Sequence, residues 1–209
     1  QLKKENIELS GEWLKIFFDN GIFEHFLEDL DFMNSHSLCI SDEYFLNQYD
    51  NIIFEAAQGL LLDQNNIDYF PHLTPSNTGI KNPKKIIENI EWNDDINIET
   101  CYVSRTYLTR HGAGKFPSEC NKNFINEYMY DKTNVPNPFQ DSLRYGHLNL
   151  RELYNRCSDD IEDFGNTKSI AITHCNEYDK WDNDLLINLF NDWNIYYSDG
   201  ETRNDVDLR

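Results

Sequence analysis

Three short polar stretches carry the residues most suited to ligand chemistry: Gln58–Gly59 in FEAAQGLLLD, His174–Cys175–Asn176 after KSIAIT, and Ser198 to Arg203 in SDGETR. Amides, hydroxyls and an imidazole offer paired donors and acceptors, which suits reading the edge of a polar ring. Each stretch follows a short run rich in apolar or β-branched residues, the pattern of a buried strand. In an open α/β sheet ligands collect at the carboxyl ends of the strands. Convergence of the three segments there would form a nucleotide pocket.

The elements that must position these segments are legible as alternating patterns. Apolar residues recur at helical spacing from Trp13 to Leu30, with Gly21 expected to divide the run into two helices. Asn51 to Phe54 reads as a buried strand delivering Gln58, with Leu60 to Asp63 continuing as helix or turn. Residues 64 to 82, including TPSNTGIKNP, have loop composition, and loops of that length usually carry function. A short helix from Lys84 to Ile90 precedes INIETCYVSRTYLTRHG, which reads as one extended strand ending at Gly112. LNLRELYNRC and NDLLINLFNDW have helical periodicity, whereas KSIAIT and NIYYS read as strands. The expected fold is therefore α/β, a mostly parallel or mixed central sheet flanked by helices, in a single domain spanning 1–209.

Composition narrows the function classes. The chain has 209 residues, 39% hydrophobic and 26% charged, with a formal net charge of −19. That charge repels nucleic-acid backbones, and the longest basic runs are the pairs Lys3–Lys4 and Lys84–Lys85. No apolar stretch approaches the roughly 20 residues of a membrane span. The five cysteines are widely spaced without a CxxC pair, and the six histidines form no HxxxH or HxxE pattern. These spacings argue against a disulfide framework, a zinc site or Cys–His catalysis, and point to reduced thiols in a cytoplasmic protein. The acidic run EWNDDINIE reads as a solvated loop, because it lacks the alternating ligands and central glycine of a calcium loop.

Four motifs, in order over roughly residues 50 to 205, carry a family resemblance. FEAAQG followed by TPSNTG resembles the FEGAQG…TSSNT segment of adenylosuccinate synthetases; YLTRHGAGKFPSE is similar to their TTRVGxGPFPTE; SDGETR is similar to their S-x-G-x-x-R. The resemblance implies a P-loop-NTPase-related fold and a ligase that phosphorylates the 6-oxygen of IMP with GTP, after which the amine of L-aspartate displaces the phosphate. It implies that Gln58 acts in catalysis and, with Gly59, binds the purine, because an amide donates to a ring oxygen while accepting from a ring nitrogen. Thr74 would hold the 5′-phosphate through its hydroxyl and the loop amides. Arg110 is expected to order the loop after it. His174, Cys175, Asn176, Ser198 and Gly200 would surround the base of the phosphate donor.

Two departures from the family pattern bear on specificity. Where the family reads guanine with Lys-x-Asp, this chain has His174–Cys175–Asn176. An Asn side chain complements the N6 and adjacent ring nitrogen of adenine, which implies ATP or dATP as donor in place of GTP. The family's TTGRPRRCGWFD loop binds the carboxylates of aspartate through arginines, and here TNVPNPFQDSLRYGHLN stands in its place. Arg144 matches the last family arginine, whereas Asp141 and Leu143 occupy the positions of the two that bind, and neither can make arginine's bidentate contact. Either Thr133, Asn134, Val135 and Arg144 take over, or the amino acid differs. Both departures resemble the phage-associated branch that makes 2-aminoadenylosuccinate from dGMP, so IMP and dGMP both stand as substrates.

The family's Gly-rich phosphate loop, GDEGKGK, and its catalytic Asp and His have no counterpart ahead of Gln58. The chain thus reads as the carboxyl-terminal portion of an adenylosuccinate-synthetase-like enzyme, with Mg2+ ligands expected in the missing amino-terminal half. A homodimer is implied by resemblance alone. The alternative reading is a catalytically inactive module that binds a purine nucleotide.

Overall fold

The computed structural model describes residues 11–37, 40–129, 134–138, 141–178 and 180–208. The chain divides into two compact units, Gln1–Gln48 and Tyr49–Arg209.

The first unit is helical: α1 (Gly11–Phe17), α2 (Asn20–His36) and α3 (Asp42–Leu46). The break between α1 and α2 lies before Gly21, because the Asp19 carboxylate accepts the Gly21 N–H at 2.8 Å and caps α2. Gly21 is therefore inside the second helix, and the cap supplies the boundary. On α2, Ile22, Phe23, Phe26, Leu27, Leu30 and Met33 fall on one side by helical spacing, yet all are exposed. Ser41 caps α3 by accepting the Tyr44 N–H at 3.2 Å, a helix the apolar pattern did not reveal.

The second unit holds two sheets. The larger is four-stranded, in the order β1 (Glu99–Arg105), β5 (Thr167–Thr173), β6 (Asn194–Ser198), β7 (Val206–Leu208). Its first three strands are parallel and β7 is antiparallel, so the expected mixed α/β sheet is present. Between β1 and β5 runs α5 (Leu150–Ile161), and between β5 and β6 runs α6 (Asn183–Leu189). Asn149 caps α5 by accepting the N–H groups of Arg151 and Glu152. Leu150, Cys157 and Ile161 of α5, Leu186 of α6, and Phe190 just beyond α6 close over Ile170 and Ile172 of β5 and Ile195 and Tyr197 of β6. Phe190 meets Tyr154 and Trp193 edge-on, both at 5.1 Å between centroids. Full burial of each large aliphatic side chain contributes about 1.5–3 kcal/mol, so this cluster dominates the stability of the sheet.

The smaller sheet orders β2 (Leu108–Arg110), β4 (Arg144–Gly146) and β3 (Glu119–Cys120), all antiparallel. The stretch expected as one strand to Gly112 is thus two strands in different sheets. Thr106 still donates its N–H to Thr173 at 3.1 Å, but Tyr107 turns its side chain into a separate cluster with Ile125 and Met129. Burial of that phenol, 1% exposed, redirects the chain.

The helix expected over 84–90 begins earlier, as α4 (Lys81–Glu88), with Pro83 in its first turn, where no backbone N–H is needed. The strand expected at Asn51 to Phe54 is not formed. These residues have no ladder partner among the described residues, and Ile53 is 91% exposed. Strand propensity is a preference for a pleated surface with a neighbour, and without that neighbour the backbone groups are left to solvent. Leu60–Leu62 forms a single 3-10 turn after it.

Candidate functional site

Gln58 is exposed and adopts φ 76°, in the left-handed region where side chains other than glycine are strained. The loop carrying Thr74 is fastened to the segment after Gln58 by three bonds. Leu62 accepts the Thr74 N–H at 2.9 Å, Gln64 donates its N–H to Ser76 at 3.1 Å, and one Asp63 carboxylate oxygen accepts the Thr78 N–H at 2.7 Å. The other Asp63 oxygen accepts from the backbone and side chain of Asn65, each at 2.8 Å. Burial alone would raise the Asp63 pKa, but the donors from Asn65 and Thr78 outweigh it and hold it below the usual carboxylate value. Leu62 also donates to Gly59 at 2.9 Å, so Gln58, Gly59 and Thr74 sit on one hydrogen-bonded scaffold.

That scaffold is tied to the core by Asp160 of α5. Its carboxylate accepts the Ile80 N–H at 3.0 Å and the Tyr102 hydroxyl at 2.7 Å. Burial and the neighbouring Asp160 push the Tyr102 phenol well above its ordinary pKa, so it stays a donor. Gly79 passes so close that a Cβ there would meet the carboxylate at 2.0 Å. Neither Asp63 nor Asp160 stands out in the sequence, because both act on partners far along the chain.

The two segments expected to surround the donor base meet past the ends of β5 and β6. Ser198 accepts the Cys175 N–H at 3.1 Å, joining the two stretches expected to surround the base. His174 is left-handed, φ 62°, and its carbonyl accepts both the Glu177 N–H at 3.0 Å and the Thr106 hydroxyl at 3.1 Å. Asn176 lies exposed in this turn. Ser198 donates its hydroxyl to Gly200 at 3.2 Å, and Thr202 with Asp205 forms a capping box just beyond. Asp205 is held below its ordinary pKa by the Thr202 donors.

Of the segment expected to contact aspartate, Thr133 lies outside the described residues. Asn134, Val135 and Arg144 line one cleft of about 500 Å3, together with Lys122, Met129 and Ser142. Arg144 is engaged within the protein: a bidentate pair to Glu119 at 2.8 and 2.6 Å, and bonds to the Gly112 and Gly114 carbonyls at 3.0 and 2.9 Å. The pair raises the Arg144 pKa and lowers that of Glu119. Arg110 donates to the Ala113 and His72 carbonyls, which orders the loop after it as its position implied. The two arginines therefore hold three successive carbonyls of the HGAG turn. Asn134 pairs with His111 Nε2 at 2.9 Å. A second cleft, about 370 Å3, lies by Thr106, His147, Tyr178 and Trp181, where the sequence had suggested no site.

Four non-glycine residues among those described have positive φ: Gln58, Asp141, Glu162 and His174. Glu162 ends α5, Gln58 and His174 fall in two of the three polar stretches, and Asp141 lies in the loop that precedes Arg144. Strained backbone concentrates at functional sites because only a fixed surrounding structure maintains it. The thiols carry no such signature: Cys101, Cys120 and Cys157 are free, Cys39 lies outside the described residues, and burial pushes Cys157 up to about 12. Among the described residues no three His, Cys, Asp or Glu side chains are grouped to hold a metal, so these residues do not fit a Mg2+ site. No described helix is long and apolar enough to cross a membrane.

Comparison with known proteins gives these motifs a family. A family model described as adenylosuccinate synthetase matches residues 21–183. The chain is 30% identical over 127 residues to an adenylosuccinate synthetase of Clostridium perfringens, covering 54% of this chain and 27% of that protein. It is 31% identical over 140 residues to one of Mesoplasma florum, covering 56% of this chain and 29% of that protein. The chain thus spans less than a third of the length of the curated relatives it matches. With the match extending from α2 to the start of α6 and taking in the Gln58, Thr74, Arg144 and Asn176 segments, the chain belongs to the adenylosuccinate synthetase family.

Proposed function

We propose that these residues supply the purine, amino-acid and donor-base contacts of a ligase that joins L-aspartate to C6 of a purine nucleoside monophosphate, IMP or dGMP. The γ-phosphoryl of a nucleoside triphosphate passes to the 6-oxygen. The aspartate amine then forms the C6–N bond as the C6–O bond breaks and inorganic phosphate leaves. In this reading the Gln58 amide donates to the 6-oxygen and accepts from the ring N1–H, orienting C6 without competing as a nucleophile. Gly59 lets the backbone approach the ring, and Thr74 holds the 5′-phosphate. Thr133, Asn134 and Val135 bind the amino acid, while Arg144 fixes the HGAG turn.

The observation that carries this reading is the left-handed backbone at Gln58 and His174, which lies in the segment that resembles the family's purine motif and in the one that stands in place of its donor-base motif. The donor follows from Asn176: an amide complements adenine, whereas the family's carboxylate complements guanine, so the donor is ATP or dATP. His174, Cys175, Ser198 and Gly200 frame that base. The family's phosphate loop and acid–base groups have no counterpart ahead of Gln58, and the described residues group no ligands for Mg2+. The protein works in the cytoplasm as a homodimer.

Mass spectrometry of products from full-length protein, supplied with aspartate, IMP or dGMP, and each nucleoside triphosphate in turn, tests the proposal. A succinylated purine monophosphate formed with ATP or dATP is expected. Nucleotide binding without any product would identify an inactive binding module instead, and turnover with GTP alone would overturn the donor assignment.

A further inference from the structure

The turn that presents Asn176 is gripped at both ends by two consecutive residues at the carboxyl end of β1. Thr106 donates its hydroxyl to the His174 carbonyl at 3.1 Å. Tyr107 donates its phenol proton to the Glu177 carboxylate at 2.5 Å. The Glu177 carbonyl accepts the Asn126 side-chain N–H at 2.8 Å, and the Tyr107 ring stands edge-on to the His174 imidazole, 5.9 Å between centroids. Arg105 approaches the same phenol, donating at 3.4 Å. Asn176 is the exposed residue between these held neighbours.

We propose that the Tyr107–Glu177 pair is a positioning clamp that sets the orientation of Asn176 and thereby the protein's choice among donor bases. The inference rests on the donor-site reading given above. A base is distinguished by which of its edge atoms meet the amide oxygen and which the amide nitrogen, so selectivity requires one fixed orientation of the Asn176 side chain. His174 alone does not fix it, because a left-handed residue is a strained point from which the turn can relax once its far end is released. The far end is Glu177. The Tyr107 ring is packed against Ile125 and Met129, so its hydroxyl projects from a rigid support rather than from a mobile side chain. Burial and the adjacent Glu177 push the phenol above its ordinary pKa, which keeps it a donor across the physiological range.

Tyr107→Phe in full-length protein separates the clamp from the packing, because the ring stays and only the hydroxyl is lost. The expected result is a KM for ATP raised about tenfold with kcat changed less than twofold, and an ATP-over-GTP preference reduced by a similar factor. Glu177→Gln, whose amide oxygen still accepts the phenol proton, is expected to stay close to wild type. Glu177→Ala, which leaves the buried ring untouched, is expected to reproduce the Tyr107→Phe shift and stands in should that variant fold poorly. A Tyr107→Phe enzyme with lowered Tm but unchanged donor preference would overturn the clamp and leave the ligase reading intact. A wild-type protein that neither binds nor discriminates nucleoside triphosphates would overturn both.

Discussion

Asp63 accepts the Thr78 N–H at 2.7 Å across 15 residues of chain, and this one carboxylate joins the segment that bears Gln58 to the loop that bears Thr74. Two family motifs that are separate in sequence become one surface through a residue in neither binding role. Asp63 is thus a positioning residue whose charge is used inside the protein.

Its titration gives the first prediction. The folded pKa of Asp63 lies below its ordinary value, so the charged form stabilises the fold. The sign follows: the contribution is complete above the unfolded value, about 3.9, and is lost as pH falls through the lower folded value. Asp63→Asn, with one oxygen where two accept, is expected to lower Tm at pH 7 and to make Tm fall less on acidification from pH 5 to 3. Thermal melts across that range check it; parallel curves for variant and wild type would contradict it.

Gly79 offers a prediction of a different kind. Its missing Cβ leaves the space that the Asp160 carboxylate fills while holding Ile80 and Tyr102. Gly79→Ala must displace a carboxylate committed to two donors, at a cost of about 2 kcal/mol from overpacking and broken hydrogen bonds. Urea denaturation is expected to show a lower midpoint with an unchanged m-value; an unaltered midpoint would show that Asp160 moves freely.

Several elements were readable from pattern alone, and the reasons separate them from those that were not. Strands β5 and β6 centre on the apolar runs Ile170–Ile172 and Ile195–Tyr197, which pack in the core with α5 and α6, so their composition already reports their surroundings. The stretch from Glu99 to Arg110 is interspersed throughout with β-branched and aromatic residues, and nothing local marks Thr106–Tyr107 as the change of sheet; the cause is Tyr107's burial against residues about 20 positions away. Strands β3 and β4 are two and three residues long, too short for alternation to register. Asn51 to Phe54 failed as a strand because propensity cannot supply a neighbour. In the candidate site, the polar segments after β5 and β6 were visible as turn chemistry at strand ends. Asp160, acting 58 residues from Tyr102, and Glu177, acting 70 from Tyr107, were not, since nothing local couples such pairs.

On the proposed reading, one atom at position 176 separates an adenine contact from a guanine contact. Asn176→Asp replaces the amide nitrogen with a second acceptor, which complements the N1–H and N2–H2 edge of guanine and faces the N1 acceptor of adenine with a charge. The expected outcome is a shift of kcat/KM toward GTP over ATP by about 100-fold, roughly 2.7 kcal/mol of discrimination. Steady-state rates with both triphosphates measure it. An unchanged ratio would remove Asn176 from the base contact.

The central claim is that the Gln58 amide holds the 6-oxo edge of a purine monophosphate, and equilibrium titration of full-length protein with IMP and dGMP, wild type against Gln58→Glu, tests it most directly. Exchanging the amide nitrogen for an oxygen removes the donor to the 6-oxygen and sets a carboxylate against it. The account predicts affinity weakened about 30-fold or more, about 2 kcal/mol, for whichever monophosphate the wild type binds, with Tm unchanged because the side chain is exposed. Equal affinities in the two proteins would contradict it.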